Sequence, residues 1–129
     1  MKSKWNLTAF AMMALTIVAH AFGGGPEIWQ PVYNSDLPLT VRITMGLVWH
    51  GLTVLFIIMA GLSLLAYAKP SLAAGVNMSL MFINLGIGGL ALFYGLLQTG
   101  GVLLLPQWVL FLPMAYFSFM ALIAANRQV

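Results

Sequence analysis

The side chains that could carry chemistry are confined to one stretch of the chain, from His20 to His50. This stretch holds both histidines and both acids of the protein, with one of its five basic residues. The acids are Glu27 and Asp36, and the basic residue is Arg42. Histidine is the commonest metal ligand and the usual proton carrier near neutral pH. We therefore expect any binding of a polar group or metal to occur here.

Three kinds of site are compatible with these residues. His20 and His50 could be the two axial ligands of a b-type haem. The same histidines and Glu27 make up the two-histidine, one-carboxylate set of non-haem metal sites. The third kind is a polar-topped pocket for a quinone, lipid or sterol, formed by Trp49, His50, Asn84 and Glu27. Because we expect His50 to lie deeper in the membrane than His20, it is the first residue to test.

Each of these residues also has a purely structural interpretation. His20 could lie at the membrane surface with its ring in water, and His50 could be a hydrogen-bonded packing residue. The acids could be solvated, and Arg42 could contact a lipid phosphate or Asp36. The chain has no cysteine and no visible arrangement of serine, histidine and acid, so nothing indicates nucleophilic catalysis. We expect no catalytic role.

Composition indicates that the solvent of this protein is mostly lipid. Of its 129 residues, 62% are hydrophobic and only 5% are charged, whereas soluble domains carry about 25% charged residues. So few charges cannot cover a water-facing surface. The five basic residues are scattered along the chain, which indicates no nucleic-acid partner.

Four apolar stretches predict four transmembrane helices, at residues 5–23, 40–68, 71–97 and 103–125. The first stretch gives about 28 Å of helix, enough to cross the hydrocarbon core. It follows two lysines and ends near Ala19-His20-Ala21, a pattern also typical of a secretory signal peptide. We expect it to be retained as the first span.

Helix-ending residues separate these stretches. Gly23-Gly24-Gly25-Pro26 predicts the end of the first helix, so that residues 24–39 form an irregular outer loop. Lys69-Pro70 separates the second and third helices, and Gln98-Thr99-Gly100-Gly101 separates the third and fourth.

The distribution of charge predicts the orientation in the membrane. Four spans place Lys2, Lys4, Lys69 and Arg127 on one side, and Arg42, Glu27 and Asp36 on the other. Basic residues collect on the cytoplasmic side of membrane proteins. We therefore expect both termini to be cytoplasmic and the His20–His50 segment to face the periplasm or the outside.

An all-α, up-down bundle of four transmembrane helices, forming one membrane domain over residues 1–129, is the simplest fold. Lipid gives no hydrophobic drive for helix association, so small residues and polar contacts must hold the helices together. Asn77 and Asn84 lie seven residues apart and therefore on one helix face. We expect them to hydrogen-bond to neighbouring helices.

With so little soluble surface, the sequence favours a non-catalytic accessory or assembly subunit of a larger inner-membrane complex, or a homo-oligomer. Its partners would be the lipid bilayer and other membrane subunits or further copies of itself. The alternative is a binder of an apolar ligand, or of a b-type haem, in the outer half of the bundle near His50. The layout resembles that of bacterial four-helix membrane proteins of about this length, including DoxX-like proteins. The resemblance implies a four-helix membrane fold and no particular activity.

Overall fold

The computed structural model describes residues 3–127, apart from the side chain of Thr99, and these residues form helices and short connections without any strand. Its elements are α1 (Lys4–Val18), a π-helical segment (Ala19–Trp29), α2 (Gln30–Tyr33), α3 (Leu39–Ala68), α4 (Pro70–Thr99) and α5 (Trp108–Asn126). The first three run on as one helix, Lys4–Tyr33. This helix, α3, α4 and α5 are each long and apolar enough to cross a membrane.

The prediction that the first helix ends at Gly23 and that residues 24–39 form a loop is wrong. The helix passes through the glycines and Pro26, and it ends at Tyr33. Proline clashes with the carbonyl four residues earlier in an α-helix, but a π-helix bonds residue i to i+5 and is wound differently. The glycines here have negative φ, since Gly100 is the only glycine with positive φ among the described residues.

The connection between the first helix and α3 is accordingly short. It consists of residues 34–38, and the Ser35 hydroxyl donates a 2.7 Å hydrogen bond to the Val32 carbonyl. Arg42 reaches back across the turn, where its Nη1 donates to the Tyr33 carbonyl at 3.0 Å. The guanidinium therefore satisfies a carbonyl at the end of the first helix, which α-helical hydrogen bonding leaves without a partner.

The other helix bounds follow prolines and glycines more closely. Only Lys69 separates α3 from α4, which begins at Pro70, a favourable first position for proline. Gly100 ends α4 in the left-handed region, at φ 67°. The last helix begins at Trp108 and not at residue 103, because Pro106 disfavours helical backbone at the residue before it.

The helices pack as neighbours around a methionine-rich core. α1 packs against α3 and α5, and α4 also packs against both α3 and α5. Met59 of α3 and Met114 of α5 are completely buried, and Met13 of α1 and Leu80 of α4 join the same cluster. Flexible methionines fill irregular gaps between helices well. One core therefore joins all four helices.

Candidate functional site

Two tryptophans fix the π-helical segment against α3. A Cβ added at Gly24 would lie 2.7 Å from Cη2 of Trp49, and one added at Gly46 would lie 2.6 Å from Cη2 of Trp29. Real Cβ atoms do not approach other atoms so closely. Each helix therefore places a tryptophan ring over a glycine of the other, and both glycines are required for this contact.

His20 lies beside Trp49 in this contact. Its ring stacks on the indole at 3.9 Å between centroids and 18° between planes, and it meets the edge of Phe56 at 5.3 Å. Nε2 of His20 lies 3.2 Å from the Trp49 carbonyl oxygen. Because a carbonyl only accepts, Nε2 must carry the proton in this hydrogen bond. In the neutral ring, Nδ1 is then an acceptor.

His50 lies in a different environment. It is exposed, and its ring meets the edge of Trp29 at 5.6 Å between centroids. It lines a cavity of 380 Å³ with Gly25, Pro26 and Thr53. Of the two histidines, His20 is therefore the half-buried one and His50 the exposed one, and the expected difference in their depth in the membrane stays a prediction.

A larger cavity, of 630 Å³, lies between the first helix, α3, α4, α5 and the connection that precedes α5. Most of its lining is apolar, including Leu52, Phe56, Ile87, Leu110 and Phe111. Its polar lining residues are Thr16, His20, Glu27 and Gln107. Pockets of about 300 to 1,000 Å³ with mostly apolar walls and a few polar groups are typical of small-molecule sites.

The structure does not bring the predicted haem or metal ligands together. His20 lines the larger cavity and His50 the smaller one, with the Trp49 ring bordering both. Nε2 of His20 is also engaged by a carbonyl oxygen. Within residues 3–127, no group of three histidine, cysteine or acidic side chains could hold a metal ion. The geometry therefore fits neither a bis-histidine haem nor a site formed by two histidines and Glu27.

Of the four residues predicted to form the ligand pocket, Trp49 and Glu27 line the larger cavity. His50 and Asn84 do not. Asn84 is buried, and its amide donates a 2.8 Å hydrogen bond to the Leu80 carbonyl of its own helix. Its Oδ1 has no partner. The expected hydrogen bond from Asn84 to a neighbouring helix is therefore wrong as well.

Gln107 is a polar residue of this cavity that the sequence did not indicate. Its Oε1 is buried and has no hydrogen-bond partner. It directly precedes Trp108, whose indole nitrogen donates a 2.9 Å hydrogen bond to the Val102 carbonyl and fixes the connection before α5. Its position between Pro106 and an aromatic residue, in an otherwise apolar stretch, was the available signal.

No protein family model, curated protein or solved structure matches this chain. Its function must therefore be inferred from the geometry of the chain itself.

Proposed function

We infer that this protein binds an apolar small molecule with a polar head, such as a quinone or a lipid, in the 630 Å³ cavity. The observation that carries this proposal is the cavity itself, which has apolar walls and polar side chains at His20, Glu27 and Gln107. The ligand would enter from the bilayer. The protein would act without catalysis.

The expected setting is the bacterial inner membrane, with the helices in an up-down bundle. Lys4, Lys69 and Arg127 lie at helix ends that would share the cytoplasmic side, and both termini would lie there. Lys2 lies outside the described residues. In this orientation the cavity belongs to the outer half of the membrane, on the side of Glu27 and Asp36.

Filling the cavity tests the proposal. Gly23 lines it, and a Cβ added there meets nothing within 4 Å. A leucine at Gly23 should therefore fold normally and occupy space that the ligand needs. Gly61→Leu is the matched control, because Gly61 is equally open and lies outside both cavities.

The measurement is native mass spectrometry of protein released from membranes or nanodiscs. We expect the wild type and Gly61→Leu to retain a bound quinone or lipid, and Gly23→Leu to lose it. Equal retention by all three proteins would contradict a site in this cavity.

Association with other subunits, or with further copies of the chain, is a second proposal. Gly75, Ser79 and Gly86 lie on one exposed face of α4, and both glycines have open space around them. Small residues on a lipid-facing helix let another helix approach closely. Gly86→Leu should shift an oligomer toward monomers in native mass spectra, and an unchanged distribution would contradict this interface.

A further inference from the structure

The smaller cavity, of 380 Å³, places a hole and a projecting side chain side by side. The hole lies between the π-helical segment and α3, and both Trp29 and Trp49 line it. Phe22 also borders it, yet this residue is 79% exposed. Cavities of about 150 Å³ admit a benzene ring, so the smaller cavity has room for a phenyl ring from another molecule.

Two exposed polar residues in the same lining, Gln30 and His50, restrict what can cover this cavity. His50 is the twelfth residue of α3, about 17 Å from the start of the helix. The 30 residues of α3 measure about 45 Å, which exceeds the hydrocarbon core by about 15 Å. Even if all of that excess projects on the outer side, His50 lies within the core. An acyl chain over the cavity would leave its ring without a hydrogen-bond partner from the lipid.

We propose that a second copy of this chain covers the smaller cavity, with Phe22 of each copy inserted into the cavity of the other. A two-fold axis requires a patch that is complementary to itself, and here the projecting ring adjoins the hole. The second copy also brings its own Gln30 and His50. The amide and the neutral imidazole each carry a donor and an acceptor, so His50 of one copy can pair with Gln30 of the other.

This dimer surface is separate from the features on which the proposed function depends. The proposed ligand occupies the larger cavity. The α4 face that contains Gly75, Ser79 and Gly86 is a different surface, since none of the described α4 residues lines the smaller cavity. The ligand site, the α4 face and the dimer surface can therefore each fail alone.

Photocrosslinking tests which molecule Phe22 meets. p-Benzoylphenylalanine replaces Phe22 in the full-length protein, and equal amounts of isotope-labelled and unlabelled chain are reconstituted in vesicles of phosphatidylethanolamine and phosphatidylglycerol. We expect illumination to give a covalent dimer with mixed-isotope adducts at residues 25–30 or 49–53. The same amino acid in place of Phe119, an exposed residue of α5 outside both cavities, should give no adduct there. Adducts confined to lipid, to the same chain or to other residues of the second copy would overturn the proposal.

Variants of the hole and of the projecting ring should be coupled. Gly25 lines the smaller cavity, and a Cβ added there meets nothing within 4 Å, so Gly25→Leu should fill the hole. Phe22→Ala and Gly25→Leu should each weaken dimerisation by about tenfold or more, as expected for a buried aromatic contact. The double variant should be little weaker than either single one, because both changes remove the same contact. Gly23→Leu, which fills the larger cavity instead, is the matched control and should leave dimerisation unchanged.

Dimerisation is measured by energy transfer between dyes on a cysteine added after Val129, since the chain has no other cysteine. Dilution with vesicle lipid then gives the affinity. A wild type that is monomeric at every ratio of protein to lipid would overturn the proposal, and so would a dimer that persists in both Phe22→Ala and Gly25→Leu. Neither result bears on the ligand site, which retention of ligand by Gly23→Leu tests separately.

Discussion

Single residues decide how the candidate site is built, and the contact between Trp49 and Gly24 is the clearest case. The indole lies where a side chain at Gly24 would have to be, and His20 stacks on its ring. The Trp49 carbonyl also accepts hydrogen bonds from His20 and from the Thr53 hydroxyl, at 3.2 Å each. A change at Gly24 therefore acts on the wall of the cavity through the position of Trp49.

We predict that Gly24→Ala lowers the free energy of unfolding by about 1 to 3 kcal/mol, the usual cost of overpacking. The physical reason is that the rigid indole must move to admit the methyl group. Gly23→Ala, one residue away in the same π-helical segment, meets nothing within 4 Å, and it should be neutral or stabilising by up to about 1 kcal/mol. Denaturant titration in micelles measures both, and near-ultraviolet circular dichroism should change only for Gly24→Ala. Equal stability of the two variants would contradict the contact.

The sequence predicted some residues of the site and misplaced others, for a reason that concerns helix rotation. Trp49 and His50 are consecutive, and consecutive residues of an α-helix point about 100° apart. The predicted pocket included both residues, but this rotation places His50 in the lining of the smaller cavity and not in that of the larger one. Thr16, His20, Gly23 and Glu27 instead share one face at helical spacing, and this pattern was available. Which neighbour that face meets depends on tertiary packing, which one sequence does not reveal.

At the scale of elements, the contact between α4 and α5 depends on the buried residue Gly88. A Cβ added there would lie 2.8 Å from Cδ2 of Leu112 and 3.4 Å from its backbone nitrogen. The neighbouring Gly89 is exposed, with nothing within 4 Å. The two adjacent glycines therefore have opposite roles, one allowing the helices to approach and the other facing outward.

Gly88→Ala should therefore destabilise the protein by about 1 to 3 kcal/mol, because Leu112 and the backbone of α5 must move away. Gly89→Ala is the matched control and should cost nothing, since alanine favours helix over glycine. Thermal unfolding in dilute detergent measures the difference as a lower Tm for Gly88→Ala alone. If both variants keep the wild-type Tm, the close approach of α4 and α5 at this point is wrong.

The sequence predicts a helix bound well where the residues that determine the bound are its neighbours in the chain. The ends of α3 were predicted to within about one residue, because Pro38, Lys69 and Pro70 act locally. The first helix was cut short, because a Gly-Gly-Gly-Pro sequence usually ends a helix. Its continuation to Tyr33 is accompanied by packing of Trp49 on Gly24, a contact 25 positions away along the chain. Non-local contacts of this kind override local signals.

At the scale of the whole molecule, lipid takes the place that water holds around soluble proteins. Large apolar side chains are exposed on all the long helices, among them Leu15, Leu47, Phe82 and Phe119. The few charged residues lie toward helix ends and in the connections, and the described residues make no salt bridge that would hold the helices together. Packing of the methionine-rich core and insertion into the bilayer must therefore supply most of the stability.

Orientation is the property of the whole molecule that charge alone should set. Lys4, Lys69 and Arg127 would face the cytoplasm in a four-span chain, against Arg42 on the other side. We predict that a fluorescent protein that folds only in the cytoplasm is active when fused after Val129. Alkaline phosphatase, which needs the oxidising periplasm, should be inactive there and active when inserted in the turn at residues 34–36. This turn, between Tyr33 and α3, is short and exposed enough to accept an insertion. Phosphatase activity at the C-terminus, with none at the turn, would invert the orientation and place the cavity in the cytoplasmic half of the membrane.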